Sequence, residues 1–254
     1  MILNSLITGS GAPILLLHGL FGAAKNLGAI ARGLGSDAKV IALDLRNHGD
    51  SPHGAAMDYA AMAADVAETM QAFDIASAPV IGHSMGGKTA MALALSQPAL
   101  VQRLVVMDIA PVSYDHAYDD FVSAMQAIPL SPNLSRHAAE AMLQDAVPDA
   151  PMRAFLLNNL ILGDTPRWRI GLAEISTAMP ELTGWADPPG WQPYAGPTLF
   201  LRGGNSSYVQ PVALPAIMQR FPHAQQETIP DAGHWLHAEQ PQAVIAALKE
   251  FLRP

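Results

Sequence analysis

Ser84 lies in Gly82-His83-Ser84-Met85-Gly86, a G-x-S-x-G pentapeptide. The short apolar run Pro79-Val80-Ile81 precedes it, and a helix-like stretch from Met85 to about Ser96 follows. This context presents a serine on a tight strand-to-helix turn, its backbone strained and its Oγ exposed. Glycines two residues to either side are needed because a Cβ would clash in so sharp a turn. Gly86, Gly87, Thr89 and Ala90 let the helix pack closely on a sheet. An ordinary glycine-rich turn shares the composition; the strand before and the helix after favour a nucleophile.

Serine is a weak nucleophile and needs a base within hydrogen-bond reach. Of the nine histidines, His234 in Asp231-Ala232-Gly233-His234 is the candidate, in the loop between the last strand and the last helix. His237 falls at a helix start, where a surface or packing role is expected, and His18 and His83 lie in tight motif turns and read as structural. The acid that orients the imidazole usually follows the serine and precedes the histidine in chain order. After the strand Thr198 to Leu201, however, comes Arg202-Gly203-Gly204-Asn205-Ser206-Ser207, with no acid. The adjacent strand ends in Met107-Asp108-Ile109, so the acid is assigned to Asp108. Ser206, in the vacated place, is expected as an auxiliary hydrogen-bond partner of His234 or Asp108. The rival, Asp231, is expected to shape its loop.

Acyl transfer also needs donors for a tetrahedral oxyanion. The amide of Met85, at a helix N-terminus, is one, and that of Leu20 in His18-Gly19-Leu20-Phe21-Gly22 is the other. Phe21 and Trp235 are candidate walls of the acyl pocket, with plain core packing the equal alternative. Lys88 has no role in this chemistry, and a structural salt bridge is its expected use.

Strands and helices alternate to position these groups. Strands are expected at Ile14–Leu17, Val40–Leu43, up to Gly82, at Leu104–Met107, Thr198–Leu201 and near Gln226–Ile229. Helices are expected at Lys25–Leu34, from an Asp58 cap to about Phe73, after Ser84, around Val212–Arg220 and over Gln242–Leu252. Such alternation implies an α/β fold, a mostly parallel sheet with helices on both faces. Its strand ends gather Ser84 and His234 on one edge. The interval from about Val112 to Pro193 reads as short helices broken by prolines, with no clear strand. Its apolar positions include Phe121, Met125, Met142, Phe155, Leu156, Leu160 and Trp168. The expected division is a core of residues 1–111 and 194–254 with an inserted helical cap, or lid, at 112–193.

Bulk composition narrows the class. The chain has 254 residues, half of them hydrophobic and 14% charged, enough for a sizeable core. A net charge of −8 argues against nucleic acid or an anionic membrane as partner. There is no cysteine, hence no disulfide and no thiolate nucleophile. No basic, apolar leader opens the chain and no run approaches the ~20 apolar residues of a membrane span, so a cytoplasmic protein is expected. No metal motif such as H-E-x-x-H occurs, and no metal or cofactor is expected.

Together, His18-Gly19-Leu20-Phe21-Gly22, Asp44-Leu45-Arg46-Asn47-His48-Gly49, Gly82-His83-Ser84-Met85-Gly86-Gly87-Lys88, Asp108-Ile109-Ala110-Pro111-Val112, Gly203-Gly204-Asn205-Ser206 and Gly233-His234-Trp235 resemble the α/β-hydrolase fold superfamily. The set looks especially like the YbfF-type bacterial serine esterases. The resemblance implies an eight-stranded core, a helical lid, the displaced acid at Asp108 with Ser206 beside it, and hydrolysis of small acyl esters. The expected substrate carries an apolar acyl group. An acyl-CoA thioesterase, a cofactor-free perhydrolase or a carbon–carbon bond hydrolase would share the same triad. A non-catalytic receptor on this scaffold would usually lack one of its members. Oligomeric state stays open.

Overall fold

The computed structural model describes residues 1–115 and 118–253. Its strands and helices, in chain order, begin with β1 (Ser5–Thr8), β2 (Pro13–Leu17), α1 (Gly28–Leu34), β3 (Lys39–Leu43) and α2 (Tyr59–Ala72). Then come β4 (Ala78–His83), α3 (Met85–Ser96) and β5 (Val101–Met107). An insertion follows, with α4 (Asp119–Gln126), α5 (Arg136–Leu143), α6 (Ala150–Leu157), β6 (Leu160–Ile161), β7 (Arg167–Trp168), α7 (Leu172–Thr177) and α8 (Met179–Thr183). The chain closes with β8 (Thr198–Gly203), α9 (Leu214–Arg220), β9 (Ala224–Ile229), α10 (Leu236–Glu239) and α11 (Pro241–Leu252).

Seven strands form the main sheet, in the order β1-β3-β2-β4-β5-β8-β9. All neighbours are parallel except β1, which runs antiparallel to β3. The expected eight-stranded core is therefore corrected to seven among the described residues. The sequence reading also missed β1, a half-polar edge strand, and the two-residue β6–β7 ribbon inside the insertion.

The central strands are apolar throughout because both faces are covered. Alternate residues serve opposite cores, as the two-residue strand period requires. Leu15, Leu17, Ile41, Leu43, Val80, Leu104, Val106 and Phe200 point toward α2, α3 and the insertion. Leu16, Val40, Ala42, Ile81, Val105, Met107, Leu199 and Leu201 point toward α1 and α11. Asp58 caps α2 by accepting from the Ala61 amide at 2.7 Å. Met62, Ala63, Val66 and Met70 of α2 are buried, so its apolar face meets the sheet as expected.

The insertion shares the first of these cores. Val122, Met125, Leu143, Leu156 and Leu160 are buried in the same cluster as the strands. Phe155 and Trp168 pack at its margin, whereas Met142, expected as apolar packing, is exposed. Tyr59 at the start of α2 donates to the Leu182 carbonyl at 2.5 Å, tying the insertion's last helix to the sheet layer.

Candidate active site

Ser84 leaves β4 at φ 53° and ψ −119°, an unfavourable region for a residue with a Cβ and worth about 1–3 kcal/mol of strain. Close packing enforces the turn. A Cβ on Gly82 would stand 2.1 Å from the Gly86 carbonyl oxygen, and one on Gly86 would stand 2.4 Å from that of Leu17. The Ser84 amide donates to Met107 O on β5 at 3.0 Å, and the Asp108 amide donates to Leu201 O on β8 at 2.8 Å. Asp108 likewise has a positive φ, 54°.

These two strand ends and the loop after β9 bring three sequence-predicted residues together. His234 Nε2 lies 3.1 Å from Ser84 Oγ, and His234 Nδ1 lies 2.8 Å from Asp108 Oδ2. Asp108 is fully buried. Its Oδ1 accepts from the Gly203 amide at 2.9 Å, and its Oδ2 also receives the Ser206 hydroxyl in a short hydrogen bond. Three donors thus meet the two oxygens of this buried carboxyl group. Asp231 is exposed, has a φ of 55°, and turns the loop that carries His234.

Sequence reasoning missed two features of the site. The Tyr208 ring stacks on His234, centroids 3.7 Å apart and planes 15° apart, while its amide donates to Ser206 Oγ at 3.2 Å. His83 Nε2 donates to the His234 carbonyl at 2.8 Å, so this structural imidazole braces the loop of another. Of the two roles expected for His237 the structure shows packing: it is buried against His83, their ring centroids 4.3 Å apart.

The loop after β2 is clamped by two neutral imidazoles. The Leu45 amide donates to His18 Nε2 at 2.9 Å and the Phe21 amide to His48 Nε2 at 3.0 Å. Each ring's Nδ1–H then faces a carbonyl, of Gly19 and Arg46 respectively. Burial pushes both pKa values down, that of His48 to about 3, which keeps the rings neutral and their Nε2 lone pairs free to accept. Asp44 binds the amides of Ala24 and Asp50 at 2.7 and 2.9 Å.

Two cavities meet at Ser84, and Leu20 lines both. One, of about 50 Å³, passes His83, His234, Phe21 and Trp235 toward Phe155. The other, of about 40 Å³, passes Met85 toward Tyr59, Tyr114, Leu182 and Lys88. Phe21 is both core and wall, buried in the main cluster and edge-on to Tyr118. Lys88 makes no salt bridge among the described residues, contrary to expectation. Its Nζ donates instead to the carbonyls of Thr183 and Gly184 at 3.1 and 2.7 Å.

Among the described residues, no helix is long and apolar enough to cross a membrane, and no group of three or more His, Asp or Glu could hold a metal ion.

Comparison with known proteins places this geometry in a lineage. The model of the alpha/beta hydrolase family matches residues 14–247. The chain is 39% identical to the esterase YbfF of Escherichia coli over 244 residues, covering 96% of this chain and 94% of that protein. It is 40% identical to the mouse sn-1-specific diacylglycerol lipase ABHD11 over 248 residues, 94% of this chain and 80% of the lipase. Among solved structures, a marine microorganism esterase superposes with a TM-score of 0.94 at 37% identity, covering 99% of both chains. On these grounds the chain belongs to the alpha/beta hydrolase family.

Proposed function

We propose that this protein is a serine carboxylesterase that works through an acyl-enzyme, with the insertion over the sheet edge as its lid. The observation that carries the reading is the unbroken hydrogen-bond relay Ser84–His234–Asp108 at 3.1 and 2.8 Å. The esterase and lipase names of its relatives support the substrate class.

In this mechanism His234 takes the Ser84 proton as Oγ attacks the ester carbonyl. The amides of Leu20 and Met85 receive the developing oxyanion, Met85 with the added field of the α3 N-terminus. The clamps on the loop after β2 hold Leu20 in place before reaction, so little reorganisation is left for the transition state. Asp108 stabilises the imidazolium, and Ser206 keeps Asp108 oriented. The imidazolium then protonates the leaving alcohol. Water attacks the acyl-enzyme with His234 again as base, and the acid is released.

The test is hydrolysis of p-nitrophenyl esters by wild type, Ser84→Ala, Asp108→Asn and Asp231→Asn. Ser84→Ala and Asp108→Asn should each lower kcat by about four orders of magnitude, while Asp231→Asn stays near wild type. Full activity in Asp108→Asn would remove it as the acid. Activity that stays flat from about pH 5 to 8 would remove His234 as the base.

A further inference from the structure

The two cavities at Ser84 are chemically unequal. The leaving oxygen of an ester must face the imidazole that protonates it. The alcohol therefore occupies the cavity past His234 and Trp235, and the acyl group is left with the one past Met85. That second cavity has a stopper. Lys88 stands one helical turn after Ser84, on the same face of α3, with only 1% of its surface exposed.

Lys88 is fixed on every side. Its Nζ donates to Thr183 O and Gly184 O, the carbonyls that end α8. It sits 5.4 Å from the centre of the Tyr59 ring and 4.9 Å from that of Tyr114. The hydroxyls of these tyrosines are engaged by the backbone carbonyls of Leu182 and Tyr208 respectively, and both tyrosines line the cavity. A leucine here would be a soft end, able to change rotamer around a longer chain. Lys88 cannot yield so easily: burial lowers its pKa to about 7, and charged or neutral its amine donates to two carbonyls that would be stranded if it moved.

Resting on the esterase reading above, we propose that Lys88 sets acyl-chain length, closing the acyl pocket so that the enzyme selects esters of short, two- to four-carbon acids. The cavity of about 40 Å³ agrees, since each water-sized group needs roughly 10–15 Å³ of such space. The insertion contributes to this selection through the backbone that locks Lys88. Phe21 and Trp235, the expected acyl walls, then line the alcohol side.

The experiment is kcat/KM on p-nitrophenyl esters from C2 to C12 with wild type, Lys88→Ala and Leu182→Ala. Wild type should peak at C2 to C4. Lys88→Ala should raise the C8-to-C4 ratio by about tenfold or more, on the worth of roughly two buried methylenes. Leu182→Ala widens the same cavity with Lys88 retained, and should move the ratio in the same direction if Lys88→Ala does not fold. A wild-type optimum at C8 or beyond overturns the proposal, as does a folded Lys88→Ala with an unaltered ratio. Wild type inactive on every ester would instead overturn the esterase reading, and the acyl pocket with it.

Discussion

The loops at the sheet edge and the insertion facing them are anchored by opposite chemistry. In the loops, His18, His48 and Asp44 are buried acceptors that grip backbone amides. In the insertion, the backbone supplies the acceptors: the carbonyls of Leu182, Thr183 and Gly184 hold side chains rising from α2 and α3. The first arrangement fixes the segment carrying Leu20, which lines both cavities at Ser84. The second attaches a wall by long-range bonds, to which buried Asn159 of the insertion adds one from its side-chain amide to the Phe21 carbonyl at 2.8 Å.

Acid offers the widest test of that contrast. Burial lowers the pKa of His48 to about 3 and that of His237 to about 4, against ~6.5 for an unfolded imidazole. Below that value the unfolded chain binds more protons than the folded one. Stability is therefore complete above about pH 6.5 and falls as pH drops toward these values, by on the order of a few kcal/mol at pH 4.5. Thermal melts across this range should show the loss, and a Tm that is flat from pH 7 to 4.5 would refute neutral clamps. Next in size, His48→Phe keeps a ring but strands the Phe21 amide. It should cost about 1–3 kcal/mol, read by urea unfolding, and flatten part of the acid slope.

Ser206→Ala probes the same half more finely. It removes one donor from Asp108 and leaves the Gly203 amide and His234 in place, so kcat should fall only about tenfold. A loss as deep as that expected of Asp108→Asn would make Ser206 an equal partner in the relay. The smallest effect is expected from Tyr59→Phe, which removes a single bond to the insertion and should cost about 0.5–1.5 kcal/mol. If it destabilises more than His48→Phe, the contrast between the two halves is wrong.

What the sequence disclosed follows the same division. Ser84 was legible because the turn that strains it demands glycines at fixed spacing. Asp108 stood out because no acid follows one strand and one follows its neighbour, and the structure sets it 2.8 Å from His234. The parallel sheet could be read from strands that alternate with helices along the chain. The strand β1 escaped because Ser5–Thr8 is a partly exposed, half-polar edge. The partners of Lys88 escaped for a different reason: they are backbone carbonyls, which leave no mark on residue identity. Tyr208 looked like any loop aromatic, since its stacking on His234 depends on how two separate loops meet.

The ladder bonds from Ser84 to β5 and from Asp108 to β8 have a further consequence. Each residue is pinned to the next strand by the hydrogen bond that would have continued the sheet. The sheet thus serves as a ruler, with Ser84 and Asp108 placed at successive graduations. Loops and insertion can be lengthened, shortened or exchanged without recalibrating it. A slip of one residue between β4 and β5, by contrast, would put Ser84 out of step with Asp108, however perfect the remaining parts.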